Sequence, residues 1–352
     1  MKNKTGLICW GFAIVFTAAS VAQQESKPRY RVRTIAFYNL ENLFDISNDS
    51  LTFDDDRTPG GKYRWTAKRY RRKIGNLATA ISLIGQGTRG SGPDIIGLCE
   101  LENEQVIRDL FSHEKLKTEG YQWIHYDSPD ERGIDVALAY RKSSFTPFSH
   151  KSQRLLLEDK EGYRDYTRDL LVVGGMFEDD ELFILVNHWP SRSGGESRSQ
   201  PFREAAARLN KRVMDSIRRF SPNGRIVIMG DFNDNPMNSS IMHLLKSKGR
   251  HSNLKEEELF NPMEQLYKKG LGSLGYRDQW HLFDQIILTS NMAQPQSGNY
   301  FFWKAGIFNP PFMVTSEGPF RRYPKRTYVS GIYQDGYSDH FPVYIYLLKK
   351  VE

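Results

Sequence analysis

The chain has 352 residues, 39% hydrophobic and 26% charged, which excludes a disordered or fibrous protein and suffices for one large domain or two small ones. Its net charge of +7 suits a polyanionic substrate and ordinary solubility equally. With only two cysteines, a disulfide-dense scaffold is excluded and stability must come from an ordinary core.

Residues 1–22 read as an export signal. Lys2 and Lys4 supply the positive start, Leu7 to Ala19 the apolar stretch, and Ser20-Val21-Ala22 a small-x-small cleavage site. That stretch is too short for a stop-transfer helix, and no later segment is apolar enough for one. The expectation is an exported protein, periplasmic or extracellular, without a transmembrane segment after cleavage. A lead-in over 23–30 would precede one domain over 31–350, in which Cys99 is the sole cysteine and reads as packing.

Strand-like runs follow at Arg31–Tyr38, Asp94–Glu100, Ile134–Tyr140, Leu170–Met176, Leu182–Asn187, Arg225–Met229, Phe283–Leu288 and Phe341–Leu347. Several are near-continuous apolar runs, as strands buried on both faces require. Between them, Tyr70, Ile74, Leu77, Ile81 and Ile84 share one helical face, with Lys68, Arg71, Arg72 and Lys73 read as solvated. Phe202, Ala206, Leu209, Val213, Ile217 and Phe220 form a second stripe that starts beside Pro201. No internal repeat or low-complexity linker interrupts them. Strands linked partly by helices and partly by hairpins predict two packed sheets flanked by helices.

The chemistry sits at strand ends. Asn39 and Glu41 follow the first run, Glu100 ends the second, Asn187-His188 end the fifth, and Gly230-Asp231-Phe232-Asn233 end the sixth; Ser338-Asp339-His340 precede the last. Each alone is an ordinary feature: a solvated strand end, an Asx turn, a packed loop histidine. Strand ends that converge on one sheet edge gather such groups into one cleft. A phosphodiester needs charge neutralisation by a cation, a base for water and a donor for the leaving oxygen. Hard oxygen ligands and histidines supply that set.

Taken together, Phe37-Tyr38-Asn39-Leu40-Glu41-Asn42, Leu98-Cys99-Glu100, Val186-Asn187-His188, Gly230-Asp231-Phe232-Asn233 and Ser338-Asp339-His340, in this order, resemble the endonuclease/exonuclease/phosphatase superfamily. The resemblance runs from about Arg31 to Leu348 and implies a four-layer α/β/β/α sandwich with two mixed sheets. It further implies a divalent-metal-dependent phosphoesterase using Mg²⁺, with Mn²⁺ or Ca²⁺ as alternatives. Glu100 would be the principal ligand, with Asn39 and Asp339 beside the metal or one layer out. Asp231 and Asn233 would hold the scissile phosphate and orient the nucleophile. His340, fixed by Asp284, would act as base or phosphate-polarising group, and the choice of base between His340 and Asp231 stays open. His188 would contact the phosphate or assist the leaving group.

Three expectations are our own. Asp135, on a strand read as a neighbour of the His188 strand, would support His188. Arg192, in the Gly/Ser-rich loop after Trp189-Pro190, and Arg203, one turn into the next helix, would grip phosphate.

Sequence features pull the substrate class in two directions. Glu102, Asn103 and Glu104, just after the metal glutamate, would repel a nucleic-acid backbone. Arg321, Arg322, Lys325 and Arg326, with Tyr323 and Tyr328 among them, suit a nucleic-acid strand, or else an edge strand kept soluble by charge. The leading expectation is a secreted nuclease with no stable protein partner. A phosphatase or phospholipid phosphodiesterase is the alternative, the lipid version resting on Tyr300-Phe301-Phe302-Trp303 with Phe308 and Phe312 as an aromatic patch. A non-catalytic binding protein of this fold is the third.

Overall fold

A computed structural model describes residues 28–351 except 160 and 297. The expected export signal, and all but the end of the 23–30 lead-in, lie outside the described residues. In chain order the main strands are β1 (Arg29–Leu43), β2 (Ile95–Leu101), β3 (Tyr121–His125), β4 (Asp135–Arg141) and β5 (Phe145–Gln153). Then come β6 (Leu170–Phe177), β7 (Asp180–His188), β8 (Arg225–Asp231), β9 (Ser247–Lys248) and β10 (Leu259–Phe260). The last are β11 (Leu274–Tyr276), β12 (Gln279–His281), β13 (Asp284–Thr289), β14 (Phe301–Ile307) and β15 (Val343–Val351). The helices used below are α1 (Ala67–Leu83), α2 (Glu104–Ser112) and α3 (Glu196–Phe220).

One six-stranded sheet has the order β14-β15-β1-β2-β4-β3, and one seven-stranded sheet β9-β10-β13-β8-β7-β6-β5. Both are mixed: β1–β2 and β7–β8 run parallel, while β1–β15 and β8–β13 run antiparallel. Side-chain alternation sorts the layers. Ile35, Phe37, Ile95 and Cys99 point into the space between the sheets with Val227, Met229, Val186 and Ile286. Ala36, Tyr38, Ile96 and Leu98 point the other way, onto Ile74, Leu77 and Ile81 of α1 and Val106 and Leu110 of α2. On the second sheet, Leu185, Ile226 and Ile228 meet Ala206, Leu209, Val213 and Ile217 of α3. The result is the α/β/β/α sandwich. Close approach of the sheets explains Gly97, where a Cβ would stand 2.5 Å from the Met229 sulfur.

Seven of these fifteen strands escaped the sequence reading: β9 to β12 have only two or three residues each, and three longer ones carry no apolar alternation. β3 is short, β5 is polar and carries Pro147 at a bulge, as edge strands tolerate, and β14 looked like an aromatic patch. Tyr300 and Phe301 are buried, Phe302 packs on Phe260, and only Trp303 of that run is half exposed. Two helix expectations also change. α3 begins at Glu196, upstream of Pro201, and Phe220 at its last turn is 68% exposed. Lys73 is not on a solvated face: it is buried, donating to Thr327 Oγ1 and the Tyr337 carbonyl at 2.6 Å and lying 3.5 Å from Glu41.

Candidate active site

Because β1 runs parallel to β2 and β7 to β8, their C-terminal ends reach the same edge of the sandwich; β15 enters from that edge in the opposite sense. The register places Asp231 opposite both His188 and Asp284. On the other sheet the β1–β2 ladder shifts between Asn39 and Leu43, and the β2–β4 ladder between Cys99 and Leu101. Glu100 stands in that bulge with φ 57°, and Asn233 has φ 49°. Left-handed backbone at a non-glycine costs about 1–3 kcal/mol and re-aims the side chain, here toward the facing sheet.

Glu100 Oε2 accepts from the Asn42 amide at 3.0 Å, and Oε1 lies 3.7 Å from His188 Nε2. Asp231 is the hub. Its Oδ1 accepts from the Asn233 amide at 2.9 Å, and Oδ2 accepts from Asn39 Nδ2 at 3.1 Å. The same Oδ2 lies 3.9 Å from Nε2 of both His188 and His340. His340 Nδ1 meets Asp284 Oδ2 at 2.6 Å, and Ser273 Oγ donates to that oxygen at 2.5 Å. Asp339 Oδ1 lies 4.0 Å from His340 Nε2, while its Oδ2 takes Arg326 at 2.8 Å.

The electrostatics separate the two imidazoles. Burial, then Arg168, Arg132 and His340, hold His188 well below the usual histidine range, so it is neutral at pH 7. Burial also opposes charge on His340, but Asp284, Asp231 and Asp339 outweigh it and lift its pKa well above that range. Burial pushes Asp231 up to about 7, helped by Asp284 and Glu100 and opposed by His340.

Each remaining expectation has a definite outcome. Asn39 reaches the site, but its Oδ1 accepts from the Glu41 amide at 2.9 Å and its Nδ2 holds Asp231, so it is a strut one layer out. Asn233 donates to the Trp189 carbonyl at 3.0 Å. Asp135 does not support His188. Its strand β4 lies in the other sheet, and its carboxylate bonds His125 Nε2 at 2.9 Å and the Ser128 amide at 2.8 Å. His188 Nδ1 has no hydrogen-bond partner among the described residues.

Arg192 and Arg203 are both corrected, because their guanidinium groups are already engaged. Arg192 donates to the Asn233 carbonyl at 2.8 Å and to Asp234 at 3.1 Å, pairs with Glu196 at 2.8 Å, and stacks 4.7 Å over Phe283. Arg203 is fully buried, with Asp234 at 2.8 Å from its Nε. Together they clamp the loop that carries Asn233. The Glu102–Glu104 trio is also engaged: Glu102 accepts from the Asp45 amide at 2.6 Å, Asn103 caps α2, and Glu104 opens it. Arg321–Arg326 form no edge strand of either sheet but a loop beside Asp339.

Sequence reasoning missed Ser273, the pairing of Arg326 with Asp339 and the Lys73–Glu41–Thr327 tie. Thr327 donates to Glu41 Oε2 from both its amide and hydroxyl at 2.6 Å, anchoring the loop before Asp339 to the bulged end of β1. Only the acidic Glu41 beside Asn39 gave a signal; Ser273 and Thr327 are unremarkable in sequence.

The donor set fits a hard divalent cation. Glu100 and Asp339 each offer carboxylate oxygen, and the negative charge that Asp284 and Glu100 add to the burial raising Asp231 is the kind a cation relieves. Asp231, Asp284 and His340 offer donor atoms within 4.8 Å of one another. Within that trio the hydrogen bond is the 2.6 Å Asp284–His340 contact, which already occupies Nδ1 of the ring, while Asp231 Oδ2 lies 3.9 Å from Nε2.

A model of the endonuclease/exonuclease/phosphatase family matches residues 34–349. No curated protein matches the chain. Among solved structures, a mannosyl-6-phosphatase from Bacteroides thetaiotaomicron is 19% identical, with TM-score 0.51, over 90% of this chain and 99% of that one. D. rerio TDP2 complexed with single strand DNA product is 15% identical, with TM-score 0.51, over 90% and 98%. The human nocturnin catalytic domain is 15% identical, with TM-score 0.50, over 91% and 97%. At these identities the likeness establishes the fold.

Proposed function

The chain belongs to the endonuclease/exonuclease/phosphatase family of metal-dependent phosphoester hydrolases, and within it we propose a secreted phosphodiesterase that cleaves nucleic acid. The observation that carries this reading is the convergence on Asp231 Oδ2, 3.9 Å from Nε2 of both His188 and His340, with Glu100 Oε1 3.7 Å from His188. A proton acceptor, two imidazoles and a carboxylate ligand thereby meet at one point, the set that water attack on a phosphoryl group needs.

Glu100 would hold the metal, Mg²⁺ first and Mn²⁺ or Ca²⁺ as substitutes, with Asp339 beside it and Asn39 behind. When bound, such a cation supplies charge neutralisation at the phosphoryl oxygens. The remaining work belongs to the chain. Asp231, held by Asn39 and the Asn233 amide, takes the proton from the attacking water. His340, charged and fixed by Asp284, donates from Nε2 to a phosphoryl oxygen, and His188 contacts the phosphate from the other sheet. Asn233, its loop clamped by Arg192 and Arg203, orients the nucleophile. Arg192 and Arg203 therefore act through the loop.

Nucleic acid is favoured by the basic, aromatic loop at Arg321–Arg326 beside Asp339 and by the local partners of the acidic trio, Glu102 on the Asp45 amide, Asn103 capping α2 and Glu104 on Arg108. Burial of Tyr300 and Phe301 removes most of the support for a lipid surface. A phosphatase reading keeps one support, a mannosyl-6-phosphatase of the same fold. Residues 31–350 are taken as one domain, since β1 and β15 pair from Arg29–Val351 to Phe37–Val343. Export through residues 1–22 completes the reading.

The test is a panel of plasmid DNA, RNA, an aryl phosphodiester, an aryl phosphomonoester, inositol phosphates and sphingomyelin, with Mg²⁺, Mn²⁺ or chelator. His340→Ala serves as the blank. Cleavage of DNA or RNA, lost in chelator and in the variant, is expected. Hydrolysis confined to monoesters overturns the nucleic-acid reading, and activity surviving both chelator and variant overturns the mechanism.

A further inference from the structure

A cavity of about 1040 Å³ opens beside the site, with Asp339 and Arg326 on its rim. Asp339 and the basic loop are the only parts of its lining that the chemistry described above uses. One wall is the 311–326 loop and the other is the tip of the β11–β12 hairpin. Both walls are built. Lys325 N donates to the Met313 carbonyl at 2.7 Å and Thr315 N to the Tyr323 carbonyl at 2.9 Å; Tyr337 N reaches the Lys325 carbonyl at 2.6 Å. The Tyr323 ring lies flat enough on Gly275 that a Cβ there would meet it at 2.7 Å, and Trp280 closes on the same ring at 5.5 Å. The hairpin is joined to the catalytic residues by the Leu274–His340 bridge and by Ser273 on Asp284.

Large aromatic surface is left facing this space: Tyr276 is 55% exposed, Phe320 39% and Phe312 38%. Such a cluster, next to a hydrolytic centre, is a binding surface more than an accident of packing. Its charges balance, with Arg277, Lys325 and Arg326 against Asp278, Glu317 and Asp339. An occupant is therefore uncharged overall. A second phosphate would find no net positive charge to hold it, and an acyl chain would meet polar Thr315, Ser316 and Gln334. A flat ring system with hydrogen-bonding edges satisfies both the aromatic faces and the polar rim.

Resting on the phosphodiesterase reading above, we propose that this cavity receives an unstacked nucleobase adjoining the scissile phosphate, so that the enzyme acts on single-stranded nucleic acid. A base inside a duplex must first be unpaired and unstacked before it can enter, whereas a free strand delivers one without that cost. The volume exceeds one base, so a neighbouring nucleoside has room at the mouth.

The experiment uses a single-stranded oligonucleotide and a set in which each base in turn is replaced by an abasic residue, cleaved with Mg²⁺. Wild-type protein is expected to lose kcat/KM about tenfold at one or two adjacent abasic positions and little elsewhere. Phe320→Ala and Tyr276→Ala, both at exposed side chains, are expected to flatten that profile, with melting temperature recorded to show that each folds. A 2-aminopurine placed at the sensitive position should change emission on binding wild-type protein and not on binding Phe320→Ala. A flat wild-type profile, a profile that the substitutions leave intact, or equal cleavage of single strand and duplex overturns the proposal. Binding to sphingomyelin vesicles that the substitutions abolish overturns it in favour of a lipid. Absence of any nucleic-acid cleavage refutes the parent reading instead, so the two failures are distinguishable.

Discussion

Asp284 Oδ2 stands 2.6 Å from His340 Nδ1 in a fully buried position, with Ser273 on the same oxygen. This contact fixes the ring so that Nε2 faces Asp231 and the cleft. Asp284→Asn keeps the shape but removes the charge that favours the imidazolium. Turnover should fall about 100- to 10,000-fold, the range for loss of a positioned proton donor or acceptor, with the pH profile moving to lower pH. Steady-state rates across pH check it; an unchanged profile would remove His340 from the chemistry.

Glu100 is expected to make metal binding a stability effect. Wild-type protein should melt higher as Mg²⁺ is added, by about 2.7 kcal/mol of stabilisation at 100 times Kd. Glu100→Ala should abolish that shift together with activity. Differential scanning calorimetry with Mg²⁺ and with chelator reads both.

Asp135 separates the two ways of reading its strand. Asp135→Asn should weaken the His125 and Ser128 bonds and lower stability by about 1–3 kcal/mol, while turnover stays close to wild type. Denaturant melts and kcat measured together decide; a large loss of kcat without loss of stability would return Asp135 to the site.

Arg203→Met breaks a buried pair with Asp234 and should destabilise the fold by about 3 kcal/mol, since Arg192 remains on the same carboxylate. Competitive inhibition by inorganic phosphate should be unchanged. A weakened phosphate constant in a folded variant would show that Arg203 touches substrate after all.

Far from the site, Glu178 receives Arg31, Arg33 and the Tyr300 hydroxyl, the last at 3.0 Å, tying β1 to the β6–β7 turn. Burial opposes its charge, but these donors hold its pKa below the ordinary 4.5. With a depressed folded pKa, its contribution is fully present above about pH 4.5 and is lost as pH falls through the folded value. Wild type should exceed Glu178→Gln in stability by about 1–2 kcal/mol at neutral pH, and the gap should close in acid; urea melts at several pH values measure it.

How far the sequence reaches is seen residue by residue. Ile226-Val227-Ile228-Met229 is a continuous apolar run, as a strand buried on both faces requires, and the structure sends Val227 and Met229 between the sheets and Ile226 and Ile228 onto α3. Phe145–Gln153 carries no such signal, because an edge strand with one wet face is under no pressure to be apolar. Glu100, His188, Asp231, Asp284 and His340 were legible because chemistry demands those residue types at strand ends. Arg192 and Arg203 look identical to substrate-binding arginines on paper. Only the position of Asp234 between them decides that they serve the loop.

The apolar runs by themselves predicted two packed sheets flanked by helices, since burial constrains local composition, while the family and the roles of the strand-end residues came from the resemblance of five motifs taken together. Tertiary structure alone decided who partners whom. Asp135 turned to His125 and Lys73 to Glu41 because sheet membership and strand register, set by packing across the whole molecule, bring together groups whose separation in sequence says nothing of their distance in space.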